Sequence, residues 1–139
     1  MTLFLDTNVW IDFLIERKPF YYAASTILSL AEEGKFDVAV SSLSMVNANF
    51  ICCEKAKMPF EIWKHKIQSL KDIVKIYSIN DYDIYNSCDS LWNDFEDGVQ
   101  YFCAKRHDCA YIVTRNQKDF LLSNIKVVHP EEIIDIFRQ

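Results

Sequence analysis

Apolar residues fall along the chain in short blocks whose spacing predicts five strands. Runs rich in β-branched and other apolar residues are typical of strands that are buried on both faces. These runs cover residues 2–5, 36–40, 73–79, 110–114 and 126–128. Stretches with helical spacing lie between most of them, so we expect a parallel sheet covered by helices on both faces.

Between the strands, apolar residues recur at intervals of three and four, which is typical of amphipathic helices. The predicted helices cover residues 9–15, 21–33, 44–57, 61–71, 82–91, 95–106 and 131–137. Gly34 follows the second of these and is expected to end it. No linker, repeat or shift in composition divides the chain, so we expect residues 1–139 to form a single domain.

Polar residues follow three of the predicted strands directly. These tips are residues 6–8, 41–42 and 114–116. In an open parallel sheet, ligands bind beyond the carboxyl ends of the strands. We therefore expect the functional site at this edge of the sheet.

Two groups of carboxylates are candidates for chemistry at that edge. Asp6 ends the first strand, where rigid backbone suits it to bind a metal ion and where it can equally cap the next helix. Asp94 and Asp97 are three residues apart and share a helix face, with Glu96 expected to point aside. The same residues also fit a helix-capping pattern, so this group alone does not decide between the two roles.

A third candidate is the polar turn after the fourth predicted strand. Arg115 or Lys118 is placed to contact a phosphate, and Asp119 can add to the acidic group. Taken alone, this segment reads as an ordinary polar turn. Its interest comes from following a strand of the same predicted sheet as Asp6.

Composition limits the class of protein. The 15 basic and 20 acidic residues give a net charge of −5, which argues against a broad surface for non-specific binding of nucleic acid. The longest strongly apolar run is about five residues, and no basic-then-apolar leader opens the chain, so we expect a soluble cytoplasmic protein without membrane contact. The five cysteines lack zinc-site spacing and are expected to be free thiols.

Three segments together resemble the PIN-domain ribonucleases, including the VapC-type toxins of bacterial toxin–antitoxin pairs. They are FLDTNVWIDFL at 4–14, DFEDGVQYFCA at 94–104 and YIVTRNQKDF at 111–120. The resemblance extends over almost the whole chain. It implies a three-layer α/β/α sandwich with a central parallel sheet and an acidic pocket. In that pocket Mg²⁺ or Mn²⁺ would support hydrolysis of RNA phosphodiester bonds.

The resemblance also implies roles for individual residues. Asp6 matches the family's first metal-binding Asp, and Asp97 matches the Asp that opens a helix of the family. The spacing of Asp94 to Asp97 makes Asp94 a further candidate ligand. The family's Glu on the helix after the second strand falls at Asn47, and its late Asp falls at Asn116, so both are amides here. Nearby acids that would restore negative charge are Asp94, Glu96 and Asp119. Contacts with substrate are expected from Asn8, Asn47, Thr114 and Arg115.

The function expected on these grounds is a Mg²⁺-dependent endoribonuclease that is the toxin of a toxin–antitoxin pair. One alternative is a catalytically weakened PIN-like module that binds RNA or a protein. Another is a phosphatase of the haloacid dehalogenase type, which expects an Asp where this chain has Asn8. Aromatic residues crowd the first helix pair at Trp10 and 20–22, so we also expect a homodimer or an antitoxin-bound form.

Overall fold

The computed structural model describes residues 1–138 and contains one five-stranded sheet. Every pair of neighbouring strands is parallel, which confirms the predicted sheet. The strands are β1 (Thr2–Leu5), β2 (Asp37–Ser41), β3 (Val74–Tyr77), β4 (Tyr111–Val113) and β5 (Lys126–Val128). They lie in the order β3-β2-β1-β4-β5, so β1 is central.

Seven α-helices connect and cover the strands. They are α1 (Thr7–Leu14), α2 (Tyr21–Glu32), α3 (Ser42–Asn49), α4 (Phe60–Ser69), α5 (Asp81–Asp89), α6 (Phe95–Arg106) and α7 (Pro130–Phe137). Gly34, at a φ of 83°, closes the turn that ends α2, as predicted. Within residues 1–138, none of the helices has the length and apolar composition needed to cross a membrane.

Two short helical segments differ from the prediction. The helix expected over residues 44–57 is two elements, because α3 passes into a π-helix over Phe50–Lys55. The wider winding shows in Ala56, whose N–H donates to the carbonyl of Ile51, five residues earlier, at 2.9 Å. A 3₁₀ helix over Gln117–Phe120 follows β4, where we expected only a turn.

Alternating side chains of the strands build one core on each face of the sheet. In β1, Leu3 and Leu5 belong to the larger core and Phe4 to the smaller one. The larger core includes buried residues of α1, α2 and α7, and the smaller includes buried residues of α6. The result is three layers, as the predicted α/β/α sandwich requires.

The order of the strands creates a crevice beside β1. The chain extends the sheet from β1 to β2 and β3 on one side, and then crosses to β4 and β5 on the other. Connections therefore leave the carboxyl ends of β1 and β4 in opposite directions. Ligands bind at such switch points in open α/β sheets. Asp6 lies here, and its N–H donates to the carbonyl of Val113 at 2.9 Å.

Candidate active site

Asp6 lies at the switch point with its carboxylate held in one orientation. Its Oδ1 accepts a hydrogen bond from the N–H of Thr7 at 2.8 Å, so Asp6 also caps α1. Its Oδ2 accepts from the Thr114 hydroxyl at 2.8 Å and from the Asn8 amide at 3.3 Å. Burial raises the pKa of the Asp6 carboxyl, while the bond from Thr114 acts to lower it.

Asp97 faces the same region from the first turn of α6. Asp94 caps this helix, because its Oδ1 accepts from the N–H of Asp97 at 2.9 Å. Partial burial raises the pKa of the Asp97 carboxyl to about 7, helped by the negative charges of Asp6, Asp94, Asp119 and Glu96. Carboxylates from the end of β1, from α6 and from the 3₁₀ helix therefore act on one another. A cation would relieve this repulsion.

Glu96 belongs to this acidic group, contrary to the expectation that it points aside. Its Oε1 accepts a hydrogen bond from the Asn47 amide of α3 at 3.0 Å. Its charge also raises the pKa of both Asp6 and Asp97. The Asn47 amide thus holds Glu96 beside the other acids.

The segment after β4 contributes further polar groups. The N–H of Asn116 donates to the Thr114 hydroxyl oxygen at 3.0 Å, and the residue is otherwise exposed. Asp119 is exposed in the 3₁₀ helix and lines a pocket of about 170 Å³ together with Asp94 and Asp97. The structure thus brings Asp119 of the late turn to one pocket with the helix acids, whereas Asp6, Asn47 and Asn116 do not line that pocket.

The guanidinium of Arg115, a predicted phosphate contact, is engaged within the protein. Its guanidinium forms a two-pronged ion pair with Asp12, with Nε–Oδ2 and Nη2–Oδ1 distances of 2.7 and 3.1 Å. The guanidinium carbon lies 3.9 Å from the centre of the Phe20 ring. Asp12 is 1 % exposed, so moving Arg115 onto a substrate would weaken the pairing of a buried carboxylate. Arg115 instead joins the end of β4 to α1.

Thr114 was also expected to contact substrate, but the structure buries it. The residue has no exposed surface, and its hydroxyl is occupied by Asp6, Asn8 and the N–H of Asn116. It positions the Asp6 carboxylate rather than reaching the solvent. Asn8 remains at the site, half-buried, with its amide on Asp6 and Thr114.

A buried polar group below the acids was not predicted from the sequence. The Gln100 amide donates to the hydroxyls of Thr7 and Ser44, which also bond each other at 2.6 Å. Gln100 is 1 % exposed, and its Oε1 has no partner among the described residues. A polar residue one turn after Asp97, within an otherwise apolar helix face, was the available signal. The group ties α6 to the starts of α1 and α3.

The donor set at this site fits a hard divalent cation. Among residues 1–138, no three His, Cys, Asp or Glu side chains form a ready-made metal-binding group. Mg²⁺ is commonly held by one or two carboxylates, with water and substrate phosphate completing its shell. Asp6 and Asp97 supply carboxylate oxygens of this kind, and after burial the negative charges of neighbouring acids contribute to the raised pKa of each.

The fold and the site define a class of protein: a parallel α/β domain with carboxylates crowded at the switch point of its sheet. The sequence model of the PIN domain matches residues 2–118. The chain therefore belongs to the PIN domain family, which confirms the resemblance seen in its motifs.

Individual relatives cover nearly the whole chain. Ribonuclease VapC1 of Aquifex aeolicus is 25 % identical over 141 residues, which span 96 % of this chain and 93 % of the relative. A toxin-antitoxin complex from Klebsiella pneumoniae contains a chain that is 22 % identical, with a TM-score of 0.67 and coverage of 94 % and 98 %. VapBC2 from Rickettsia felis, bound to a promoter DNA fragment, contains one at 16 % identity, with a TM-score of 0.66 and coverage of 93 % and 98 %.

Proposed function

We propose that the protein is a divalent-metal-dependent endoribonuclease and the toxin of a VapC-type toxin–antitoxin pair. The observation that carries the proposal is the placement of Asp6 at the switch point of the sheet, close enough for its charge to raise the pKa of Asp97. The similarity to Ribonuclease VapC1 supports RNA as the substrate. Membership of the PIN domain family argues against the haloacid dehalogenase alternative.

Asp6 and Asp97 are the proposed ligands of Mg²⁺ or Mn²⁺, with the free oxygen of Asp94 as a third donor. The bound ion would supply Lewis acidity for the attacking water and neutralise charge on the phosphate oxygens. Thr114 and the N–H of Thr7 hold the Asp6 carboxylate in place, so little reorganisation is needed when the site fills.

The remaining polar residues act around the phosphate. Asn8 holds one oxygen of Asp6, and its place beside the site suits it to contact the RNA. Asn47 and Asn116 offer amides where charged acids would repel a phosphate. Asp119 adds negative charge near Asp97 and is a candidate for receiving a proton during hydrolysis.

Cleavage of RNA by the purified protein under controlled metal tests this proposal. A labelled single-stranded RNA is incubated in EDTA and in rising concentrations of Mg²⁺ or Mn²⁺, and the products are separated by length. We expect no cleavage in EDTA, cleavage at millimolar Mg²⁺ and faster cleavage with Mn²⁺. Asp6→Asn and Asp97→Asn should each remove activity, by at least about a hundredfold.

Asp72→Asn is the matched control, because Asp72 is an exposed aspartate outside the site. It should cleave as the wild type does. Equal activity in EDTA and in metal, or full activity of Asp97→Asn, would reject a metal-dependent site at these residues.

The second candidate is a module that binds RNA or a protein without cutting. Asn47 and Asn116 favour it, since two positions where the family has acids carry no charge here. In this case the wild type would not cleave RNA at any metal concentration. The double variant Asn47→Glu with Asn116→Asp would then gain activity.

An antitoxin and a second copy of this chain are the proposed protein partners in the cytoplasm. The structural similarity to a chain of a toxin-antitoxin complex supports the antitoxin. Of the aromatics on the first helix pair, Trp10 is 1 % exposed, whereas Phe20 and Tyr22 are 37 % and 59 % exposed. Sedimentation at micromolar concentrations tests the homodimer, and a strictly monomeric profile would reject it.

A further inference from the structure

A pocket with both apolar and polar walls opens beside the acidic site. Its volume is about 170 Å³, and its apolar walls are Trp92, Leu121 and Leu122. The Trp92 ring packs against Tyr101 and Phe120, with centroid distances of 5.0 and 5.6 Å. This packing fixes one wall of the pocket on the smaller core.

The leucines of this pocket are unusually exposed for apolar side chains. Leu121 is 83 % exposed and Leu122 is 50 % exposed. Leaving large apolar groups in water gives up the stabilisation that burial provides. An apolar surface of this kind beside a charged site indicates contact with a flat or apolar part of a ligand.

The pocket is continuous with the proposed catalytic acids. Asp97 lines it and also interacts with Asp6, so a ligand in the pocket lies next to the position of a reacting phosphate. Lys118, at the same pocket, supplies positive charge for the RNA backbone. The Asn93 amide and the Asp119 carboxylate can bond to polar groups on the edge of a base.

We propose that this pocket binds the base of the nucleotide next to the phosphate that is cut. The proposal rests on the ribonuclease function proposed above. A base is uncharged, so the acids Asp94 and Asp119 do not repel it as they would repel a second phosphate.

The base preference of cleavage tests the pocket. The wild type and the double variant Leu121→Ala with Leu122→Ala each digest a pool of single-stranded RNA with a randomised centre. Sequencing of the product ends gives the base frequencies on either side of each cut. We expect the wild type to prefer particular bases at one position adjoining the cut. The double variant should reduce this preference by about fivefold or more.

Frequencies are normalised within each pool, so that a slower enzyme does not resemble a less selective one. Leu91→Ala is the matched control, because Leu91 is 86 % exposed and does not line the pocket. It should keep the wild-type preference. An unchanged preference in the double variant, or an equal loss in Leu91→Ala, would overturn the proposal.

A binding measurement keeps the test independent of cleavage. Methyl NMR signals of Leu121, Leu122 and Leu91 are followed while each of the four ribonucleoside monophosphates is added. We expect the first two leucines to shift and Leu91 to remain in place. Shifts without any RNA cleavage would support the pocket and reject the nuclease. Cleavage without shifts or base preference would support the nuclease and reject the pocket as a base-binding site. If neither shifts nor cleavage occurred, the pocket would also be rejected as a base-binding site.

Discussion

The two halves of the acidic site are built in opposite ways. On the strand side, Asp6 is 8 % exposed and three neighbouring residues donate hydrogen bonds to its carboxylate. On the helix side, Asp97 is half-buried and Asp94 and Asp119 are exposed. The strand half is thus held by specific partners, whereas on the helix half partial burial, followed by the negative charges of neighbouring acids, makes the ionised form of Asp97 unfavourable.

This difference separates two requirements of a metal-dependent site. The buried half fixes the direction of one ligand at the cost of desolvating its charge. The open half keeps high negative potential and access for substrate, and it stores unfavourable energy until a cation arrives. Removing a hydrogen-bond donor to Asp6 should therefore lower stability, whereas neutralising Asp97 should raise it.

Removing the hydroxyl of Thr114 should give the largest loss on the strand side. Thr114→Val keeps the shape but takes away the donor to Asp6, and bonds to charged groups contribute about 2 kcal/mol. We expect a loss of stability of this size in urea unfolding, together with a fall in RNA cleavage of about tenfold. Thr114→Ser, which keeps the hydroxyl, is the control and should remain near the wild type. If Thr114→Val and Thr114→Ser lost stability and activity equally, the hydroxyl would not be what holds Asp6.

The helix side depends on the close approach of α6 to α5 at Gly98. A Cβ at this position would collide with Ser87 Oγ and lie 3.2 Å from the Cβ atoms of Ser87 and Trp92. Gly98→Ala should therefore displace the first turn of α6, with a net loss of about 1–2 kcal/mol after the better helix propensity of Ala is counted. Cleavage should fall as well, because Asp97 is on that turn.

Adding Ser87→Ala to Gly98→Ala removes the colliding oxygen and serves as the control for this prediction. The double variant should recover part of the lost stability, which a double-mutant cycle measures. Strict additivity of the two changes would mean that Ser87 and Gly98 do not meet.

Neutralising Asp97 should stabilise the metal-free protein while removing its activity. The pKa of Asp97 is raised to about 7 in the folded protein, so the folded state binds this proton more tightly than the unfolded chain does. The cost of ionising Asp97 is absent below its unfolded pKa near ~4, grows as pH rises and is complete above about 7. At about pH 8 we expect Asp97→Asn to be more stable than the wild type by about 1 kcal/mol, after allowance for solvent screening.

The difference between the two proteins should vanish below about pH 3, where the wild-type carboxyl is protonated in both states. Thermal or urea unfolding in EDTA at both pH values measures it. A variant that is less stable than the wild type at the higher pH would contradict the repulsion described for this half of the site.

The smallest effect is expected from restoring an acid on α3. Asn47→Glu adds a negative charge beside Glu96 and Asp97, so Mn²⁺ should bind more tightly by about threefold in calorimetry. Asn47→Gln changes the length of the side chain without the charge and is the control. If Asn47→Gln also bound Mn²⁺ more tightly than the wild type, the effect would come from the length of the side chain rather than from its charge.

The layers of the fold could be predicted because β1, β2 and β4 are apolar runs and the helices between them have clear spacing. The sequence does not contain the order of the strands, because the apolar pattern of a strand does not specify its neighbour. The π-helix also gave no signal, since its residues continue the apolar spacing of α3. The helix over Phe95–Arg106 had the predicted bounds.

The candidate site could also be predicted only in part from the sequence. Asp6 and Asp97 could be singled out because a strand end and a helix start are visible in the sequence. The pairing of Arg115 with Asp12 could not be predicted, because the two residues are 103 positions apart in the sequence. Each side chain alone is as compatible with exposure to solvent as with an ion pair. The position of Glu96 depends on Asn47, which another helix brings to it. Contacts between elements that are distant in the sequence thus decide which polar residues are free to bind a ligand and which hold other residues in place.

The bond between Thr114 and Asp6 joins residues that are 108 positions apart. During translation, Asp6 leaves the ribosome long before Thr114 is made, and β4 cannot pair with β1 until most of the chain has emerged. The nascent chain therefore has its first carboxylate without the hydroxyl that orients it, and without α6 for much of its synthesis. The arrangement that orients Asp6 is therefore complete only after β4 has been synthesised and has paired with β1.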